Sequence, residues 1–195
     1  MITRLSLLFV AMIIPCFIAA CADHRPGPDE VTDRSRETEE LLLHAERGTA
    51  DDQYNLGVRY ERGSGVSQSY QEAVRWYRLS AMQGHKDAQY KLCEMSDRGQ
   101  GLPQDYQEAL RWCDLAADQG HGRAMFMLGR LHHTGHGVSQ DVVRAHMWYN
   151  LATANGYDEG KRWRDRLADE MSEKQIAEAQ KLAREWSVRM TSRNS

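Results

Sequence analysis

The chain has 195 residues, of which 41% are hydrophobic, and it carries 25 Lys and Arg against 28 Asp and Glu. This length and composition fit one soluble domain with an ordinary hydrophobic core. The formal net charge of -3 gives no reason to expect nucleic acid as a partner.

The chain begins with an apolar run over residues 5–18 that follows the single basic residue Arg4. About 14 residues are too few for a membrane span, which needs about 20, but they suit a secretory signal peptide. The run ends in Ile18-Ala19-Ala20-Cys21, which resembles the lipobox of bacterial lipoproteins. The resemblance implies a signal peptide over residues 1–20 and a lipid on Cys21. Ordinary cleavage with an incidental Cys21 is the alternative.

The next segment predicts a flexible tether over residues 21–34, because it holds two prolines, many charges and one lone valine. Ala22, and not Asp, follows the cysteine, so the lipoprotein resemblance favours the outer membrane over the inner one. An envelope location would permit disulfide bonds.

One pattern returns three times with a shift of 36 residues and no insertion. Gly63, Gly99 and Gly135 keep this spacing, and the Trp, Ala and Leu positions of the three units do the same. An internal period of this size indicates stacked repeats. We place them at residues 50–85, 86–121 and 122–157.

Each repeat is predicted to be a helical hairpin. In the first repeat, Tyr54, Leu56 and Tyr60 have helical spacing, and we name this segment helix A. Gly63 stands where a left-handed C-cap is needed. Ser69 then opens helix B as the first residue of a capping box with Glu72; Asp105 and Asp141 are its equivalents.

The motif Leu56-Gly57-x-x-Tyr60-x-x-Gly63-x-Gly65-Val66 closely resembles the Sel-one-like repeat, a relative of the tetratricopeptide repeat. The second unit departs from it at Cys93, Ser96, Leu102 and Cys113, and the third at His132. The resemblance implies an all-α, right-handed α-solenoid whose helices A line a concave groove. It also implies a role in holding other proteins together.

Capping helices are expected at both ends, because a bare repeat exposes its stacking face. Residues 35–48 read as a lone helix B. Residues 158–190 read as a C-terminal cap, in which Ser172 and Gln175 form a capping box. The apolar face of this last helix is expected to close the stack, with fraying from about Arg189. The solenoid thus spans residues 35–190.

The two cysteines of the repeats lie in the same unit. Cys93 replaces the glycine of helix A and Cys113 replaces a tyrosine of helix B, on helices that face each other. Unit two thus lacks the tyrosine ring on helix B and gains a side chain on the facing helix A. We therefore predict that Cys93 and Cys113 touch and form a disulfide. Two buried thiols that are too far apart to bond are the alternative.

No catalytic motif was found, whether G-x-S-x-G, H-E-x-x-H, S-x-x-K or C-x-x-C. We therefore expect no enzymatic activity, no cofactor and no small-molecule substrate. His132, His133 and His136 cluster in sequence, but no acid or cysteine completes a metal site nearby. A solvated turn is the preferred interpretation, and metal binding is the alternative.

The predicted binding surface is the face of the A helices that points away from the core. It comprises Asn55, Val58, Arg59, Arg62, Lys91, Glu94, Met95, Met127, Arg130 and Leu131. Mixed basic, apolar and amide groups suit an extended peptide or a partner helix. The predicted function is a lipid-anchored envelope scaffold that binds another envelope protein or peptide. A plain solvated face, or contact with peptidoglycan or an exported polysaccharide, is the alternative.

Overall fold

The structure is a computed structural model that describes residues 40–43, 45 and 48–193. The predicted signal peptide and tether, over residues 1–20 and 21–34, lie outside the described residues. Within the described part, regular secondary structure is helical throughout, with these bounded helices: α1 Ala50–Arg62, α2 Tyr70–Met82, α3 Lys86–Arg98, α4 Tyr106–Asp118, α5 Gly122–Thr134, α6 Val142–Ala154, α7 Glu159–Ala168 and α8 Glu173–Arg193. None of the described helices is both long enough and apolar enough to cross a bilayer.

The first six helices form three hairpins, α1–α2, α3–α4 and α5–α6, which stack in chain order. In each hairpin the first helix is helix A and the second is helix B. Helix B of one unit packs on helix A of the next. This arrangement confirms the predicted all-α solenoid of three helical repeats.

The helices begin at side chains that satisfy their free N–H groups. Ser69, Asp105 and Asp141 each accept the backbone N–H of the residue three positions on, at 2.9–3.3 Å, as predicted for helices B. Helices A of units two and three begin at His85 and His121, whose Nδ1 atoms accept a backbone N–H at 3.3 and 3.1 Å. The sequence analysis did not anticipate these histidine caps.

The turn between helix A and helix B depends on glycine. Gly63, Gly99 and Gly135 end the A helices with φ of 70, 68 and 76°, the left-handed conformation that was predicted. Gly137 lies against the start of α4, where a Cβ would stand 2.7 Å from Cβ of Tyr106. The glycine turn of unit three therefore also allows a close approach to helix B of unit two.

Both predicted capping segments are helical in the described residues, but they pack differently from each other. At the N-terminal end, residues 40–43 and 45 are helical, and Ala45 is buried with Leu56 and Trp76. At the C-terminal end, α7 packs on α6 in the position of a helix A. Its Leu167 is buried with Tyr149.

The last helix, α8, packs along α6, and its Trp186 ring meets the Trp148 ring at 5.6 Å. Arg193 reaches back to Asp118 on α4 at 3.2 Å. The helix is regular to Arg193, which corrects the fraying predicted from about Arg189.

Helix A and helix B meet most closely at one position in each unit. In units one and three, a Cβ on Gly57 or Gly129 would lie 2.6 Å from the ring of Tyr77 or Tyr149. In unit two, the equivalent residues are Cys93 and Cys113, which form the predicted disulfide with a Cα–Cα distance of 5.3 Å. The bridge therefore occupies the place of a glycine–tyrosine contact.

We predict that reducing the disulfide lowers the free energy of unfolding by about 3 kcal/mol, because the bridge closes a loop of 20 residues in the unfolded chain. Urea denaturation with and without reductant measures the difference. The Cys93→Ala/Cys113→Ala variant is the control and should not respond to reductant. An unchanged midpoint for the reduced natural chain would contradict the prediction.

A second prediction exchanges the bridge for the contact found in the other units. Cys113→Tyr alone should be destabilising by about 1–3 kcal/mol, because the new ring meets the Cys93 side chain. Cys93→Gly added to it should recover part of that loss. Unfolding free energies of the four proteins, measured under reducing conditions, form a double-mutant cycle with an expected coupling of at least about 0.5 kcal/mol. Additive effects would show that the two positions do not exchange as a pair.

Candidate functional site

The helix-A face is the surface formed by α1, α3 and α5. The ten residues predicted for it fall into three groups by their exposure. Asn55 and Arg62 are exposed. Five are half-buried, namely Val58, Arg59, Lys91, Glu94 and Arg130. Three belong to the core, namely Met95, Met127 and Leu131.

The assignment of Met95, Met127 and Leu131 to a binding surface is therefore wrong. Met95 lies in a core cluster with Val74 of α2, and Leu131 lies in one with residues of α4. Met95 and Leu131 point back to helix B of the preceding unit, which covers them. Arg59 is the equivalent residue in unit one and is half-buried.

Ion pairs cross the helix-A face from one unit to the next. Lys91 Nζ lies 2.8 Å from Glu61 on α1 and 3.7 Å from Glu94 on its own helix. Glu94 also holds Arg98 at 2.9 Å. This series, Glu61–Lys91–Glu94–Arg98, forms an ordered row of alternating charge.

A second pair joins units two and three. Arg130 on α5 binds the Asp97 carboxylate on α3, whose side chain is only 9% exposed. The cations of this face are therefore largely matched by its own acids. Its acids, Glu61 and Asp97, were not among the residues predicted for this surface.

Stacked rings line the N-terminal ends of the A helices. Tyr54 stacks on His85 and Tyr90 on His121, each with ring centroids 4.6 Å apart. The Nε2 atom of His121 lies 3.2 Å from Asp87. Burial lowers the pKa of His121, and its Nδ1 accepts a hydrogen bond, so the neutral ring donates from Nε2 to the carboxylate.

Sequence reasoning did not predict these stacks, although a signal was present. His85 and His121 have the 36-residue spacing of the repeat, and so do Tyr54 and Tyr90. Burial and the nearby Glu94 raise the pKa of Tyr90 to about 12, so its phenol is a neutral group at physiological pH.

The three clustered histidines point to different neighbours. His132 is buried, which corrects the expectation of a solvated turn for this residue. His133 meets the Tyr149 hydroxyl at 3.4 Å, and His136 stacks on Tyr106 at 4.5 Å. Among the described residues, no group of three or more potential ligands could hold a metal ion.

Comparison with known proteins identifies relatives of this arrangement. The Sel1 repeat family matches residues 50–85, 86–121 and 122–157. No curated protein matches the chain. Two solved structures of Sel1-type repeats are similar to it.

The first is a protective antigen with an SLR fold present in uropathogenic Escherichia coli strains. It matches with a TM-score of 0.72 and 32% identity, over 78% of this chain and 33% of that one. The second, a Sel1 repeat protein from Oxalobacter formigenes, matches with a TM-score of 0.65 and 36% identity, over 67% of this chain and 52% of that one. The chain thus spans a third to about half of the length of these proteins.

The three repeat matches cover more than half of the 195 residues and coincide with the three stacked hairpins. The chain belongs to the Sel1 repeat family.

Proposed function

We propose that this protein is a non-enzymatic scaffold of the bacterial cell envelope that binds a partner protein or peptide on its helix-A face. Sel1 repeats generally mediate protein–protein interactions and are generally not enzymes. The observation that carries the proposal is the ordered row Glu61–Lys91–Glu94–Arg98. Asn55 and Arg62 are exposed on α1, the helix that carries the first member of this row.

This row favours binding because its side chains are already held in place. Immobilising a long side chain on binding costs about 0.5–1.5 kcal/mol, and groups that are ordered beforehand avoid much of that cost. Lys91 is fixed between Glu61 and Glu94, so its remaining hydrogen-bonding capacity points in a defined direction. A partner with polar groups of both charges, presented on an extended strand or a helix, suits this surface.

The proposed anchor is the lipid on Cys21, with residues 21–34 as the tether. A fully extended segment of this length spans at most about 50 Å. The domain would then lie in the periplasm at the membrane surface. The outer membrane is favoured over the inner one as the site of anchoring. The partner is accordingly expected to be another envelope protein.

Contact with peptidoglycan or an exported polysaccharide is less well supported. Sugar rings are usually held by exposed aromatic side chains. Among the large hydrophobic residues that are exposed in the described part of the chain, Tyr70 is the aromatic one, at 36% exposure.

The helix-A proposal predicts where a partner makes contact. A photo-crosslinking residue at Asn55 should give a discrete adduct with an envelope protein in intact cells. The same residue at Lys174, exposed on α8, is the matched control and should not give that adduct. The Asn55→Ala/Arg62→Ala variant should bind the purified partner at least fivefold more weakly with an unchanged melting temperature, because both side chains are exposed.

Equal adducts from Asn55 and Lys174, or an unchanged affinity of the double variant, would contradict this surface. Charge reversal at Lys91 or Arg130 is not a suitable test. It would place like charges beside Glu61 and Glu94, or beside Asp97, and would alter stability as well as binding.

The anchor proposal predicts the outcome of Cys21→Ser. This variant cannot receive the lipid, so it should leave the membrane fraction or accumulate as an unprocessed precursor. Fractionation of cells followed by immunoblotting measures the distribution. A processed Cys21→Ser protein that still sediments with membranes would show that the lipid is not the anchor.

A further inference from the structure

A cleft of about 1230 Å³ lies on the helix-B side of units two and three. It is lined by residues of α4, the end of α5 with its following turn, α6 and α8. No residue predicted for the helix-A face contributes to it. The cleft is therefore a second concave surface, separate from the one proposed above.

Three arginines line the cleft from three different helices, namely Arg111 on α4, Arg144 on α6 and Arg189 on α8. Within the described residues, Arg111 and Arg189 have no acidic partner. Arg144 is 3.4 Å from Asp141, and its side chain is 62% exposed. Arg111 and Arg189 therefore contrast with the paired cations of the helix-A face.

Two carboxylates share the cleft, Asp114 and Glu185. Glu185 lies 4.0 Å from Lys181, on its own helix, and neither acid pairs with Arg111 or Arg189. Arg144 is matched by Asp141, so the arginines without an ion pair are Arg111 and Arg189. An acidic group of a ligand could pair with guanidinium groups that are not already neutralised.

A buried and unpaired polar atom also lines the cleft. His132 is only 7% exposed, and its Nδ1 has no hydrogen-bond partner within the described structure. Burial and the nearby Arg144 lower its pKa, so the ring is neutral at physiological pH. A buried polar atom without a partner costs about 1–3 kcal/mol. The Nδ1 atom is itself shielded from solvent, so it belongs to the wall of the cleft and is not an open contact for a ligand.

A comparison of equivalent residues in the three repeats indicates what kind of segment packs on the helix-B side. Leu79, Leu115 and Leu151 are equivalent residues of the three B helices. Leu79 and Leu115 are 40% and 48% exposed, whereas Leu151 is 3% exposed and shares a core cluster with residues of α8. An amphipathic helix of this chain thus already covers one of three equivalent positions, and the two next to it are open.

We propose that the cleft, together with the open helix-B surface at Leu115, binds an acidic amphipathic helix of a partner protein, seated beside α8. Apolar side chains of the ligand would cover Leu115 and enter the cleft against Leu110, as α8 covers Leu151. Carboxylates of the ligand would pair with Arg111 and Arg189.

A selection of helical peptides tests the proposal directly. Phage-displayed random 16-residue peptides are selected on the oxidised protein and counter-selected on its Arg111→Gln/Arg189→Gln variant, which removes both charges without placing new acids beside Asp114 and Glu185. Both residues are exposed, so this variant should keep its melting temperature. The enriched peptides should carry Asp or Glu at helical spacing with apolar residues. Their affinity should fall at least tenfold on the variant and should weaken as salt is raised.

Two further variants give the proposal independent readouts. Leu115→Ser removes the exposed apolar side chain that the ligand helix would cover, so it should weaken the peptides at least threefold with an unchanged melting temperature, because Leu115 is 48% exposed. Arg62→Glu, on the helix-A face, is the matched control and should leave their affinity unchanged. Peptides without acidic enrichment, no enrichment at all, equal binding to the double variant, unchanged binding to Leu115→Ser, or equal loss in Arg62→Glu would each overturn the proposal.

Discussion

The close contact between helix A and helix B within each hairpin determines much of what lies outside it. In unit one, Gly57 leaves room for the Tyr77 ring, and the Tyr77 hydroxyl then donates to Glu61, which in turn holds Lys91 of the next unit. In unit two, the disulfide removes the tyrosine. The equivalent acid, Asp97, has no phenol to accept from, yet it also binds a cation of the next unit, Arg130. The core contact therefore decides whether this acid also holds a phenol, whereas the ion pair to the next unit is made in both cases.

Other differences between the repeats also occur in pairs, whose two members lie near opposite ends of one repeat. Buried Gln89 accepts from Gln119 at 2.8 Å, and the equivalent pair one unit later is Met125 with Asn155. Likewise, the Asp87–His121 contact becomes Arg123 over the Tyr157 ring, at 5.9 Å from its centroid. Replacing one member alone would leave a buried amide or a charge without its partner, at a cost that the paired change avoids. Unit one has the same pairs as unit two, Gln53 with Gln83 and Asp51 with His85, so unit three is the one that differs.

The sequence was sufficient for features that depend on local chemistry repeated at a fixed spacing. Turn glycines, helix-B caps and the Cys93–Cys113 bridge follow from which residue types can occupy those positions. Exposure on a helix A could not be predicted in the same way, because Met95 and Leu131 are covered by the preceding unit and not by their own hairpin. The path of α8 was not predicted, for a similar reason. Its amphipathic pattern specifies a buried face but not the surface that buries it.

The position of α8 explains why an open cleft exists beside it. Helix α6 is buried on several sides, and it carries Met147 and Leu151 where α4 carries Arg111 and Leu115. An apolar helix at the end of a stack must be covered, and α8 provides that cover. The surface covered by α8 ends at α4, where Arg111 stands in place of Met147, because a guanidinium group cannot be buried without a partner. Arg111 thus limits the surface that α8 covers and also remains as an unpaired cation at the edge of that surface. The extent of α8 packing and the charge of the cleft therefore have one cause.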